Sequence, residues 1–345
     1  MLEVRNRTPY CVAVVPGLDR DGRDFATIVI KATFSLGSPP DLRKPLPLAD
    51  EQVPLVWADE FYGEPDKTSI KHETDVGPAK GGTDVVLVGH AYASKRQVGQ
   101  VDVTVEAGNL AKTVHVFGDR LWMRGRDVAR VPPSPAPFER IPLVYERAFG
   151  GADTSHEDES KHGWEKRNPV GTGFTIAGRG DHFKNLALPN LEDPKHLIRS
   201  AIDKPPPATF GFVARHWEPR KSFTGTYDEA WQKDRCPLLP LDFDERHFRS
   251  AHPDLCAPGH FRGGEPVLIR NATPNGEVRF KVPGLRFEIK TSVKAEVGTL
   301  EPSLDTVLIE PDEKSVVVSW KATLACPRKF LLIDYVRVRE LERLA

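Results

Sequence analysis

The sequence predicts a mainly β fold: two packed antiparallel sheets in a sandwich-like arrangement, with a long proline- and aromatic-rich irregular insertion and a few short helices. Three observations predict it. Apolar and polar residues alternate with period two at both ends of the chain, the residues between those segments suit tight turns, and from about 124 to 264 the periodicity fails while prolines gather. The 31 prolines in 345 residues are about 9%, against a usual level of about 5%. The excess belongs to folded backbone, because 39% of the chain is hydrophobic, an ordinary share for a protein with a core. One continuous unit is expected over 1–345, with N-terminal strands at 1–123, the irregular region at 124–264 and C-terminal strands at 265–345.

From Phe25 to Leu36 the even positions are Ala, Ile, Ile, Ala, Phe and Leu, while the odd ones include Thr27, Lys31, Thr33 and Ser35. This is a strand with one face in a core. Val12 to Val15 supplies its hairpin partner, joined through the Asp- and Gly-bearing segment Gly17–Gly22. Val85 to Val88 is apolar on both faces and reads as a central strand, whereas Val101, Val103, Val105 and Ala107 alternate with polar residues and leave one wet face. In the middle, Pro132–Pro137 and Pro205–Pro207 exclude helix interior and central strand, since each proline lacks a backbone donor. The many aromatic rings from Phe138 to Phe243 demand burial, so this is no simple linker. Short helices are expected at Asp228–Asp234 and around Asp244–Ala251. Further on, Glu277–Val282 and Leu285–Lys290 alternate around Pro283-Gly284 and read as a hairpin; Thr306–Glu310 and Val316–Leu324 around Pro311–Lys314 read as another. Phe330–Val338 is a last strand.

Charge excludes partners. With 48 Lys+Arg against 49 Asp+Glu, the formal net charge is -1, so no global field attracts a phosphate backbone and nucleic acid is not expected as a partner. No apolar run approaches the roughly 18 residues of a membrane helix, and the start Met1–Asn6 lacks a basic-then-apolar leader, which predicts a cytoplasmic protein with no membrane partner. Cys11, Cys236, Cys256 and Cys326 are scattered and read as reduced structural thiols.

Signatures of chemistry are sparse. No GxxxxGK[ST] loop or GxSxG elbow occurs, so no nucleotide cofactor is expected. Cys256 near His252 and His260 has the residue types of thiol catalysis, but Pro258-Gly259 between them favours a turn. His156-Glu157-Asp158-Glu159-Ser160-Lys161-His162 contains metal-binding types without metal-binding spacing and reads as a solvated acidic loop; no metal is assigned. Lys71-His72-Glu73-Thr74-Asp75, with Lys80, Asp84 and His90, has the composition of an acid/base site, and a hydrolase using His72, Glu73 and Asp75 is one reading. Turn capping and buried salt links are the other. Finally, Asp119, Arg120 and Trp122, then Trp217 and Arg220, then Tyr227, Asp228 and Trp231 place rings beside charges, the composition of interface anchors and equally of packed irregular loops. These eight are the candidate partner contacts. No catalytic residue is assigned.

Several blocks resemble a known family. Ser69-Ile70-Lys71, Asp75, Pro78, Lys80, Thr83-Asp84-Val85, Gly89 and Ala91 form one; Gly118-Asp119-Arg120 with Trp122 another. Tyr145–Gly151, Asn168–Phe174 and Leu188-Pro189-Asn190 follow in order, then Gly225–Asp228 with Trp231, Pro237, Pro240, Asp242-Phe243-Asp244, and Leu304-Asp305-Thr306 with Trp320. Together they are similar to DUF2169, a domain encoded in bacterial type VI secretion clusters. Gly81 and Lys321 depart from its pattern, which has proline and arginine there. The resemblance implies a cytosolic, non-enzymatic adaptor or chaperone. Its partners would be a secreted effector and the spike, built from the valine-glycine repeat protein and its proline-alanine-alanine-arginine tip. A structural component of the secretion machinery is the remaining alternative.

Overall fold

The computed structural model describes residues 2–37, 44–93, 98–122, 132–176, 186–326 and 329–344. The boundary expected at 123/124 lies outside them. The mainly β class is as expected, but the longer strands fall into three sheets rather than two, beside several two-stranded pairs. The first sheet has the order Cys11–Leu18, Asp24–Ser35, Ser315–Ala325, Ser303–Glu310, Asp84–Leu87. In the second, the order is Leu191–Glu192, Leu110–Phe117, Gln100–Ala107, Pro266–Arg270, Glu277–Lys281. The third runs Glu3–Asn6, Ile333–Leu344, Gly284–Val293, Glu296–Leu300. One apolar cluster joins them: Ile28 and Ile30 from the first, Val105, Val116 and Ile269 from the second, Phe287, Ile289 and Val336 from the third. Phe287 stands edge-on to both Tyr10 and Trp320, with ring centroids 5.7 and 5.2 Å away, which ties the first and third sheets together.

The hairpin from Cys11 to Ser35 forms as its turn chemistry predicts, with Leu18 opposite Asp24 and Gly22 at φ +76° in the turn. Likewise, Ser303–Glu310 pairs antiparallel with Ser315–Ala325. The expected hairpin at Pro283-Gly284 does not exist. Glu277–Lys281 pairs with Pro266–Arg270 in the second sheet, whereas Gly284–Val293 pairs with Ile333–Leu344 and Glu296–Leu300 in the third. Pro283-Gly284 is therefore a corner between sheets. The backbones of Gly263 and Gly284 meet there so closely that a Cβ on Gly263 would lie 2.2 Å from Gly284 Cα.

The strand at Asp84–Leu87 is buried throughout, yet it lies at an edge of the first sheet, parallel to Ser303–Glu310, and not at the centre. Its outer side is covered by the irregular region. Thr83 N–H donates to Gly259 O (3.2 Å), Ala257 N–H to Thr83 O (2.8 Å) and Leu87 N–H to Phe210 O (3.1 Å). Loop backbone thus supplies partners that a neighbouring strand would otherwise provide. The short helices occur as expected, a helical turn at Glu229–Asp234 and a 3₁₀ turn at Glu245–Phe248. Among the described residues, no helix is long and apolar enough to cross a membrane.

Candidate functional site

The polar odd positions of Asp24–Ser35 do not meet water. Register places Lys31 opposite Ser319, Val29 opposite Lys321, and Thr306 opposite Ser319 on the next strand, so Thr27, Lys31, Thr33, Ser319 and Lys321 share one face, and all are buried. The segment from 48 to 80 covers that face. Gln52 bridges to the backbone of Thr33, accepting from its N–H (2.9 Å) and donating to its carbonyl (3.1 Å). Between cover and sheet remains a cavity of about 160 Å³, lined by His72, Glu73, Asp75, Lys31, Lys80 and Lys321 among others. This is where the sequence's acid/base cluster lies.

Each charged group there has an opposite charge beside it. Lys31 Nζ sits 2.8 Å from Asp75, whose carboxylate also accepts from Val56 N–H (2.7 Å). Lys80 Nζ reaches Asp84 at 2.9 Å and Asp305 at 3.7 Å, and donates to Ser250 Oγ and Thr306 Oγ1. Arg249 bonds Asp84 at 2.6 Å, and Ser250 N–H donates to the same carboxylate. Lys321 lies 3.6 Å from Asp305, and Arg220 lies 2.8 Å from Glu73. Burial alone would push the Asp84 carboxyl up; Lys80 and Arg249 outweigh it and hold Asp84 at about 2. For Lys80, burial acts downward and is outweighed by Asp84 and Asp305, so its ammonium is raised above the ordinary lysine range. Glu73 follows the same logic, with burial overcome by Arg220 and Lys80.

His72 bolts the cover to the sheet. Its Nδ1 lies 2.7 Å from Glu60 across the strand pair Glu60–Phe61 and Ile70–His72, and its Nε2 lies 2.8 Å from Glu310 at the end of a first-sheet strand. Burial lowers its pKa, but the two carboxylate hydrogen bonds raise it further, so the net shift is upward. A raised folded-state pKa means that the stabilisation is fully present below the unfolded value of about 6.5 and is lost as pH rises through the folded value. We expect wild type to lose stability relative to a His72→Gln variant as pH rises from about 6.5 into the alkaline range. Urea midpoints of both proteins across that range measure it, and parallel profiles would contradict the assignment.

The eight candidate partner contacts divide. Trp217 is only 2% exposed and stacks edge-on against Tyr145, with centroids 5.3 Å apart. Arg220 is buried on Glu73 and the carbonyls of Val213 and His247. Arg120 is buried against Glu192 and the Pro189 carbonyl, above the Phe117 ring, and Trp122 packs in a second apolar cluster with Phe149 and Leu188. These four are internal and are corrected from contacts to packing: rings and guanidinium groups of an irregular region fill and stitch its own interior. Asp119, Tyr227 and Asp228 are exposed, and Trp231 partly so.

Elsewhere, burial, then Asp84, pushes the Cys256 thiol up to about 12, so it is no thiolate nucleophile. His260 Nδ1 bonds the Leu304 carbonyl. In the acidic loop, the Asp158 side chain accepts from Ser160 N–H, and His162 bonds the His156 carbonyl. Sequence reasoning missed Lys31, Arg249 and Glu310 as members of the polar cluster. Lys31 carried a signal, the one charged residue of its strand after Asp24 at the start; Arg249 and Glu310 come from far along the chain and carried none.

The sequence model of DUF2169, described as an uncharacterized protein conserved in bacteria, matches residues 21–321 of this chain. The chain belongs to the DUF2169 family. No curated protein and no solved structure gives a match. In this DUF2169 chain the residues that carry the resemblance are tied to one another. Ser69 donates through N–H and Oγ to Glu146, both at 2.7 Å, and Asn168 Nδ2 donates to the carbonyls of Tyr145 and Phe149. Asn190 Nδ2 bonds Phe117 O and Asp119. At Gly118, a Cβ would lie 1.7 Å from the Ala136 carbonyl oxygen. We therefore expect Gly118→Ala to cost about 1–3 kcal/mol, as overpacking does. A thermal melt indistinguishable from wild type would contradict this close approach.

Proposed function

We propose that this DUF2169 protein is a non-enzymatic adaptor or chaperone that holds a type VI secretion effector and helps place it on the spike in the bacterial cytoplasm. The observation that carries the reading is an apolar surface on ordered, irregular backbone. Tyr227 is 52% exposed and Leu241 71%. Tyr227 packs edge-on against Trp231 with centroids 4.7 Å apart. The turn beneath them is pinned: Asp228 accepts from Trp231 N–H, Trp231 Nε1 donates to Leu238 O at 2.8 Å, and Thr226 donates twice to Asp242. A surface already ordered loses little entropy on binding, and exposed rings supply anchors that desolvate on contact.

The hydrolase reading draws on the cavity beside His72, Glu73 and Asp75. Against it stand the ion pairs that engage all three, since a general base needs an unengaged lone pair facing substrate. Co-purification with the product of the neighbouring effector gene tests the adaptor. A complex is expected with wild type, and at least tenfold weaker binding with Tyr227→Ala/Leu241→Asp at an unchanged melting temperature. Absence of a complex with both effector and spike proteins would sink the proposal. A symmetric self-assembly in light scattering would favour a structural component instead.

A further inference from the structure

A groove of about 770 Å³ opens where the Cys11–Ser35 hairpin turn meets the irregular region. Its size is within the range of pockets that hold ligands. The wall on the hairpin side is Leu18–Asp21 with Phe25, and the opposite wall is Leu239 with Asp242–Glu245 and Phe248. The walls are locked together: Gly22 packs on Leu238, Arg20 Nη1 reaches Leu241 O at 3.4 Å, and Arg235 bonds Arg20 O at 2.5 Å. Phe25, Phe243 and Phe248 provide apolar surface inside.

The polar lining is one-sided. Asp19, Asp21, Asp242, Asp244 and Glu245 line the groove against a single cation, Arg20. Arg246 pairs with Asp244, and Arg235 lies 3.7 Å from Asp21. Asp19, Asp242 and Glu245 are ion-paired to no cation among the described residues. Hydrogen bonds from Thr226 N–H and hydroxyl hold the Asp242 carboxyl below its ordinary range, so it is ionised at neutral pH. Among the described residues, no three acidic, His or Cys side chains converge to hold a metal ion, so the charge is spread along the groove.

We propose that this groove receives an extended polypeptide segment of the cargo in which lysine or arginine residues flank apolar side chains, the apolar groups seated on the phenylalanines and the cations on the carboxylates. Complementarity of this kind governs partner choice and encounter rate. The inference rests on the adaptor reading. It also extends that surface, because Asp242 of the groove is bonded to Thr226 and Leu238 to Trp231.

Fluorescence anisotropy of the full chain with a labelled peptide of alternating lysine and leucine tests it. Binding is expected, and it should weaken about tenfold or more for the glutamate–leucine and lysine–glycine analogues and for Asp21→Lys/Glu245→Lys. Thr323→Arg, on an exposed strand position lining the groove, is a second variant expected to weaken it equally. No binding, equal binding of either analogue, competition by spermine at parity, or binding unchanged in the folded variants would overturn the proposal. Effector co-purification separates the two readings. If wild type captures the effector and both groove variants capture it equally, the groove assignment fails and the adaptor stands; if wild type captures none, the adaptor reading itself fails.

Discussion

Replacing Asp84 by Asn is expected to cost about 3–5 kcal/mol of folding stability, because it leaves Lys80 and Arg249 charged and only partly compensated in the interior. The substitution keeps the shape of the side chain and removes its charge, so the loss reads the ion network and not a cavity. Asp305 cannot replace it, since it lies farther from Lys80, at 3.7 Å against 2.9 Å, and already faces Lys321. Urea midpoints at neutral pH measure the effect; a loss below about 1 kcal/mol would mean that the cluster is dispensable. The pH dependence gives a second readout. The Asp84 pKa falls from 3.8 to about 2 on folding, so its contribution is fully present above the unfolded value and disappears as pH falls through the folded one. Wild type should therefore lose its advantage over the variant between about pH 4 and pH 2.

Trp217→Ala is expected to cost about 3–5 kcal/mol, as truncation of a fully buried tryptophan does when the site cannot collapse. Trp217 packs edge-on to Tyr145, and its carbonyl accepts from Lys221 N–H at the start of the Arg220–Phe223 turn. Removing the ring empties the junction that carries Arg220 onto Glu73. Tyr227→Ala should change stability by about 0.5 kcal/mol or less, because Tyr227 is an exposed ring. The pair separates packing from contact. Denaturation of both variants measures it, and equal losses would undo the division of the aromatic residues into interior and surface.

Strand positions were legible because alternation is a local property. Val103, Val105 and Ala107 announce one buried face, and the Gly22 turn announces its hairpin, whatever the rest of the chain does. Partners were less legible. The alternating runs on either side of Pro283-Gly284 look the same whether the chain folds back or crosses to another sheet, and the choice was made by Pro266–Arg270 on one side and Ile333–Leu344 on the other. Similarly, Val85 to Val88 showed burial on both faces but not that loop backbone, rather than a strand, would cover one edge. Arg120, Trp122, Trp217 and Arg220 turned out internal for a related reason: a ring beside a guanidinium group has the same composition whether it faces a partner or its own fold.

Composition and periodicity determine that this chain is mainly β, that the rings of its proline-rich middle call for burial, and where most long strands lie. They leave open what the polar residues do. Thr27, Lys31 and Thr33 alternate with apolar neighbours and read as a solvent face, yet the segment from 48 to 80 folds over them and turns that face into a network of buried ion pairs. The reason is range. A hydrophobic pattern is imposed residue by residue through burial, whereas a buried charge is tolerated only when opposite charges arrive from distant segments, here Asp75, Asp84, Arg249 and Asp305. Such meetings exist only in the assembled fold.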